Sequence, residues 1–267
     1  MKKGILLAAV ILLSTAGLAQ AQEDELGVTL GVKYMSRFIW RGFDIYKNNH
    51  SAIRPFIDVD LYGTGFGVNV IHTSGAGGGL RSKENMEKFN YTLYYRNKLF
   101  ENETYTTNYK VGWVYYNYPD RPRKSADLQD AFVTLSWPEI CPEGIVPNYT
   151  IVRMWPALSG AYDSARFNGG WWHILGLGYD LTVPGLMPET PEQILHLSAE
   201  MVYNGSVYAG GKSVDHDWSH ALFGVTTNFD LGNDLLFTPG IYYQSSWDDS
   251  VNPSDEYWFS LTLKYKF

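Results

Sequence analysis

Residues 257–267 read YWFSLTLKYKF, and their alternation decides the fold. Tyr257, Phe259, Leu261, Leu263, Tyr265 and Phe267 are apolar or aromatic. Trp258, Ser260, Thr262, Lys264 and Lys266 fall between them, and all but Trp258 are polar. A period of two makes a β-strand with one apolar face and one wet face. In a soluble protein, a terminal row of six large apolar side chains is an edge that aggregates. A transmembrane β-barrel needs such a strand: lipid on one face, lumen on the other, and a first strand to close against.

The N-terminus agrees with that address. Lys2 and Lys3 precede a short apolar run at residues 5–13, and Ala19-Gln20-Ala21 forms an A-x-A cleavage site before the acidic Glu23-Asp24-Glu25. The pattern predicts a signal peptide over residues 1–21 and one barrel domain over 22–267. The apolar run is too short to span a bilayer. The cleavage region holds no cysteine, which argues against a lipoprotein. Losing Lys2 and Lys3 moves the formal charge from −7 to −9, a balance that argues against a nucleic-acid partner. Cys141 is the only cysteine, so no intrachain disulfide can form. Phe267 resembles the terminal aromatic by which bacterial outer-membrane barrels are recognised for insertion. The expected address is therefore the bacterial outer membrane. The expected partners are its lipid and lipopolysaccharide, and the barrel-assembly machinery through the C-terminal strand.

Twelve alternating segments are expected, at residues 26–41, 51–62, 66–73, 89–100, 105–118, 128–137, 149–156, 171–183, 194–204, 218–229, 235–247 and 257–267. In the first, Leu26, Val28, Leu30, Val32, Tyr34, Phe38 and Trp40 make an outward face. Gly27, Thr29, Gly31, Lys33, Arg37 and Arg41 make an inward one. Connections after odd-numbered segments are mostly long and polar, and those after segments two, four and ten are tight turns, as in bacterial barrels. The connections at 138–148 and 184–193 are longer and proline-rich. Pro55 predicts a loop end or a bulge in the second segment. With an even strand number, Trp40, Trp155, Trp171, Trp218 and Trp247 fall at the outer rim. Tyr62, Phe100, Tyr105, Trp137, Tyr149, Phe229 and Phe267 fall at the inner rim. The aromatic content of 16% suits two such girdles. A secreted β-sandwich also alternates, but the closing strand and twin belts do not follow from it. The fold class expected is all-β: an antiparallel up-and-down transmembrane barrel of about twelve strands.

Inward charges point to function. Lys33, Arg37 and Arg41 are expected beside Arg54, Asp58 and Asp60, with a basic group opposite or diagonal to a carboxylate. Closure adds Lys264 and Lys266, and segments four and five add Arg96, Lys98 and Lys110. Asp130, Asp180, Glu200 and Asp230 lie elsewhere, so a basic sector faces an acidic one. The expected pore lining is Lys33, Arg37, Arg41, Arg54, Asp58, Asp60, Arg96, Lys110, His196, Glu200 and Lys264. Such sectors orient and filter charged or dipolar solutes. The expected function is passive diffusion of small polar or charged solutes, without enzymatic activity, catalytic residue, metal or cofactor. A monomer is expected, with the oligomeric state open.

Two alternatives stand beside it. Inward charges also pair and plug a barrel, giving it a structural or loop-binding role. Gly176 and Gly178 favour an opening, whereas Tyr94, Tyr116 and Tyr242 fill space. His72 and Ser74 share a lipid-facing strand end, which resembles the His-x-Ser pair of outer-membrane phospholipases and lipid A deacylases. The Asn-Gly that follows Ser in those families is Gly75-Ala76 here. His196 with Glu200, and His216, Asp217 with His220, fall short of a metal site.

The first hairpin carries a family resemblance. Tyr34-Met35-Ser36-Arg37-Phe38-Ile39-Trp40-Arg41-Gly42, then residues 52–62 and Gly65-Phe66-Gly67-Val68-Asn69-Val70, resemble the TorF-type porin family of Gram-negative outer-membrane proteins. In that family an Arg-Gly ends the first strand, and a paired strand turns at Gly into a third. Thr73-Ser74 stands where the family often has Ser-Asn. The resemblance implies a channel and names no solute.

Overall fold

The computed structural model describes residues 25–46, 51–76, 87–121, 126–142, 144–157, 169–185, 191–205 and 214–267. The predicted signal peptide lies outside them, apart from its acidic flank at Glu25. Twelve long strands follow in chain order: β1 (Gly27–Met35), β2 (Ala52–Asp60), β3 (Phe66–Gly75), β4 (Lys88–Leu99), β5 (Thr107–Asn117) and β6 (Leu128–Ser136). They continue with β7 (Ile145–Pro156), β8 (Gly170–Pro184), β9 (Glu192–Gly205), β10 (Asp217–Thr227), β11 (Leu235–Ser246) and β12 (Glu256–Lys266). Each is antiparallel to its neighbours, and β12 pairs with β1, so the sheet is a closed ring. All twelve expected segments are strands.

Closure rests on the C-terminal strand. The register sets Val32 against Leu263 and Gly31 against Lys264. The Phe267 amide donates to the Val28 carbonyl at 2.8 Å. Side chains alternate as the period of two requires: on β12, Tyr257, Phe259, Leu261, Leu263 and Tyr265 are exposed, whereas Trp258, Ser260 and Thr262 are buried. The exposed apolar row continues around the wall through Leu30, Ile53, Leu93, Trp113, Leu177 and Ile241. A ring without edges and with an apolar outer wall satisfies its backbone within lipid. This is a membrane-spanning β-barrel, and a sandwich would have buried those residues. Tyr62, Phe100, Tyr105 and Phe267 at one end, and Trp171, Trp218 and Trp247 at the other, are exposed as girdles require.

Two boundaries and one expected irregularity differ from expectation. The first strand ends at Met35, not Arg41, so Phe38 and Trp40 leave the outer wall. β7 begins at Ile145, and the Trp137 amide donates to the Pro147 carbonyl at 3.0 Å, so residues 145–148 of the first proline-rich connection are wall. Pro55 is in mid-strand: β2–β3 pairing skips Arg54 and Pro55 and resumes in the same register, so no bulge forms.

Close approach constrains the inner wall at Gly67. A Cβ there would lie 2.3 Å from the Tyr94 ring, whose hydroxyl donates to Asp58 Oδ1 at 2.8 Å. Gly67→Ala should therefore displace Tyr94 and cost about 1–3 kcal/mol. Urea unfolding in lipid vesicles would measure this, and wild-type stability would refute it.

Candidate functional site

Residues 36–46 leave the wall and fold into the lumen. The Phe259 amide donates to Ser36 Oγ at 3.0 Å as the chain leaves the end of β1. Ile39 then pairs with Asp44, and Trp40 with Phe43. Between them Arg41 and Gly42 take φ of 50° and 89°. Positive φ at both central residues is what a two-residue hairpin turn of the primed class needs. A Cβ at Gly42 would lie 2.6 Å from the His220 ring, so the tip also demands glycine for space.

The hairpin crosses the barrel from wall to wall. At its base, Phe38 and Tyr46 pack with Met35, Ala52 and Trp258. At its tip, Phe43 joins Val114, Tyr116, Leu128, Met154 and Trp172 from the opposite strands, and Val251 from the β11–β12 connection. Trp40 lies edge-on to Tyr116 and Trp172, at centroid distances of 5.7 and 6.1 Å. Burial drives this packing: Phe38, Trp172 and Met154 are almost completely removed from solvent. Burial also pushes the Tyr46 phenol up to about 12.

Polar contacts fix the register of the hairpin. Arg41 Nη2 donates to Asp130 Oδ2 on β6 at 2.8 Å, and the Tyr116 hydroxyl donates to the same oxygen at 2.7 Å. The Arg41 guanidinium lies 4.3 Å from the Trp172 ring centroid. Arg37 pairs with Glu256 at the start of β12. Gln244 Nε2 on β11 donates to the Gly42 carbonyl at 2.9 Å. Hydrogen bonds to charged groups in a dry interior are the strong ones, so these contacts hold the hairpin in one position.

The inner half of the lumen differs. Inward Arg96 and Asp180 side chains are 57% and 61% exposed, against none for Asp130. Charged side chains at the inner end therefore meet solvent, whereas the hairpin fills the outer half.

The predicted lining divides accordingly. Lys33, Arg54, Asp58, Asp60, Arg96, Lys110, His196, Glu200 and Lys264 all have inward strand positions. Arg37 and Arg41 are inside too, but on the hairpin and not on the β1 wall. The expected cross-strand pairing fails: Lys33 sits opposite Arg54, while Asp58 and Asp60 face Thr29 and Gly27. The two carboxylates are satisfied across β3 and β4. Asp58 accepts from Asn69 Nδ2 at 3.0 Å and from Tyr94, and Asp60 pairs with Arg96. Lys110 Nζ stands 3.8 Å over the Tyr94 ring. Lys33 Nζ lies 5.5 Å from the Tyr242 centroid. Asp180 engages His196 Nδ1 at 2.6 Å. The two sides are thus mixed at the β2–β5 wall, not cleanly basic. Tyr94 and Tyr116 fill space as expected and are buried. A Cβ at Gly178 would meet only the Val146 carbonyl at 3.8 Å, but one at Gly176 would lie 2.3 Å from the Asn148 side chain, so Gly176 makes no opening.

Other candidates resolve as follows. His72 stacks on Phe89 at 4.6 Å, with Nε2 3.6 Å from Glu87 Oε1. Among the described residues it makes no hydrogen bond to Ser74. No group of three metal-binding side chains occurs among the described residues. His220 lies inside the barrel beside Gly42, 2.9 Å from Ser219 Oγ. Lys88, Trp172 and Gln244 belong to the site but escaped the sequence reading. Lys88 opens its strand after a long polar loop and so looked like a loop residue.

No protein-family model matches the sequence, and no curated protein matches it. Solved structures do. The KdgM porin superposes with a TM-score of 0.52 at 8% identity, covering 90% of this chain and 99% of the porin. The NanC porin superposes at 0.50 and 11% identity, covering 91% of this chain and all of the porin. The likeness is one of fold. It extends over almost the whole length of both porins.

Proposed function

We propose that this chain is an outer-membrane channel for small polar or charged solutes, with an inner vestibule and an outer mouth held shut by the 36–46 hairpin. The observation that carries the reading is the filling of the outer lumen by a separate loop segment. The wall beneath it encloses a lumen lined with charges. The fold of two porins supports it. The reading includes a signal peptide over residues 1–21, kinship with the TorF-type family, and contact with outer-membrane lipid and lipopolysaccharide. It has the eleven inward residues line the solute path, and it leaves the barrel without enzymatic activity.

Planar-bilayer recording of refolded residues 22–267 tests it. Small unitary steps with brief openings are expected, because the hairpin must move before ions pass. Absence of any unitary conductance, in this protein and in one lacking the hairpin, would sink the channel. A plugged barrel with a structural role would then stand, favoured by the close fit of Phe43 and Trp40 against the far wall.

A further inference from the structure

The contact between hairpin and wall gathers three cations against one carboxylate. Arg41 is on the hairpin, Arg54 on β2 and Lys88 on β4; Lys88 and Asp130 are buried, and Arg41 and Arg54 are largely so. Asp130 engages Arg41 alone among the three. Among the described residues, neither Arg54 nor Lys88 has an ion pair. Arg54 Nε donates to Thr73 Oγ1 at 3.2 Å, and its guanidinium lies 5.1 Å from the Phe38 centroid. Lys88 Nζ lies 4.5 Å from the Trp40 ring, with Phe38 and Tyr116 each at 5.3 Å. Four other acids lie at this end. Glu87 faces His72, and Asp120 accepts from the Glu87 amide. Asp127 accepts from the Tyr115 hydroxyl, the Asn117 amide and the Tyr118 backbone amide, and Asp44 is on the hairpin strand opposite Ile39. None of these four pairs with Arg54 or Lys88 among the described residues, so the group of Arg41, Arg54, Lys88 and Asp130 has a formal excess of two positive charges.

Two donors at the same place point the same way. Arg41 Nη1 and Trp172 Nε1 are buried without an acceptor. Buried donors and buried charge are normally satisfied, because leaving them so costs several kcal/mol in a dry interior. Ring faces soften the penalty for a cation but do not neutralise it. A small anion with oxygen acceptors offsets the surplus charge and takes hydrogen bonds from guanidinium, ammonium and indole together. Asp130 Oδ1, also without a partner, limits the ligand to one that leaves this oxygen outside its contact.

We propose that Arg41, Arg54 and Lys88, with the Trp172 indole, form a binding site for a small carboxylate or similar oxyanion at the outer constriction. The site rests on the channel reading for its role in permeation, but its occupancy does not depend on that reading. Bound there, the anion bridges hairpin and wall, so the solute is held where it must pass and conduction is anion-preferring.

The test uses refolded protein, with acetate as the probe and acetamide as its neutral match, at constant ionic strength. Acetate should raise the unfolding temperature of wild type and acetamide should not; equal shifts overturn the site without any variant. Lys88→Met should abolish the acetate shift, and Arg54→Gln serves the same purpose if Lys88→Met does not fold. A shift unchanged in a folded variant also overturns the site. In bilayers, a salt gradient should give an anion-preferring reversal potential that Lys88→Met loses. An unchanged reversal potential refutes the role in permeation. A Lys88-dependent acetate shift without any conductance keeps the site and sinks the channel.

Discussion

Replacing residues 38–45 with a short Gly-Ser linker should convert brief, small openings into a steady conductance several times larger. The hairpin is the element that joins the two buried clusters across the outer lumen. No wall strand runs through it, so its removal leaves every ladder of the ring intact. The barrel should still migrate as folded protein before heating on a gel. Trp172, Met154 and Tyr116 would then line a wetted mouth, and some stability would be lost with their buried area. Conductance equal to wild type in a folded variant would mean that solutes take another path, or none. Gly42→Val is the point-mutation version, since Gly42 has φ of 89° and a Cβ would meet His220.

Arg41→Ala should give the largest effect of any single side chain. It removes the partner of Asp130, which has no exposure and keeps only the Tyr116 hydroxyl on Oδ2. Breaking a buried pair from one side costs about 3–5 kcal/mol, because the remaining charge is left without compensation. Here the cost has an outlet: the hairpin is able to leave the lumen, and water then reaches Asp130. The loss should appear either as lowered unfolding free energy or as more frequent opening, and the sum is set by how well the hairpin docks. Arg41→Met combined with Asp130→Asn removes both charges and should recover most of the loss. Wild-type stability together with wild-type gating in Arg41→Ala would show that the pair does not hold the hairpin.

The wall was legible because a barrel strand is written in one dimension. Lipid on one side and lumen on the other impose a period of two, and residues 257–267 carry it without interruption except at Trp258. Trp258 broke the pattern for a reason the structure supplies: it is inward, buried, and stacked on Tyr242 at 5.4 Å beneath the hairpin base. The hairpin was not legible as such. Residues 36–41 continue the alternation of β1, so Phe38 and Trp40 read as lipid-facing. The signal that argued otherwise was Ile39-Trp40-Arg41-Gly42-Phe43-Asp44: a glycine at the second turn position between residues that favour strands, the mark of a tight hairpin. Taken as the end of a strand, Arg41-Gly42 put Arg41 on the wrong element.

The inward charges divide the same way. Their facing followed from parity, and the structure places Lys33, Arg54, Asp58, Asp60 and Lys264 inside as expected. Their partners did not follow, because parity says nothing about register. One ladder sets Lys33 against Arg54, and the acids find partners two strands away in Tyr94 and Arg96. Arg41 meets Asp130 across 89 residues of sequence and the width of the lumen.

Sequence alone determined the closed antiparallel barrel and its strand number, down to the way residues 257–267 complete it. That follows because the solvent on each face acts on every residue locally. Only the tertiary structure decided that the outer lumen is filled, and by which segment. Filling a lumen is a contest between water and a loop for the same space, and the winner depends on surfaces brought together from six or more strands.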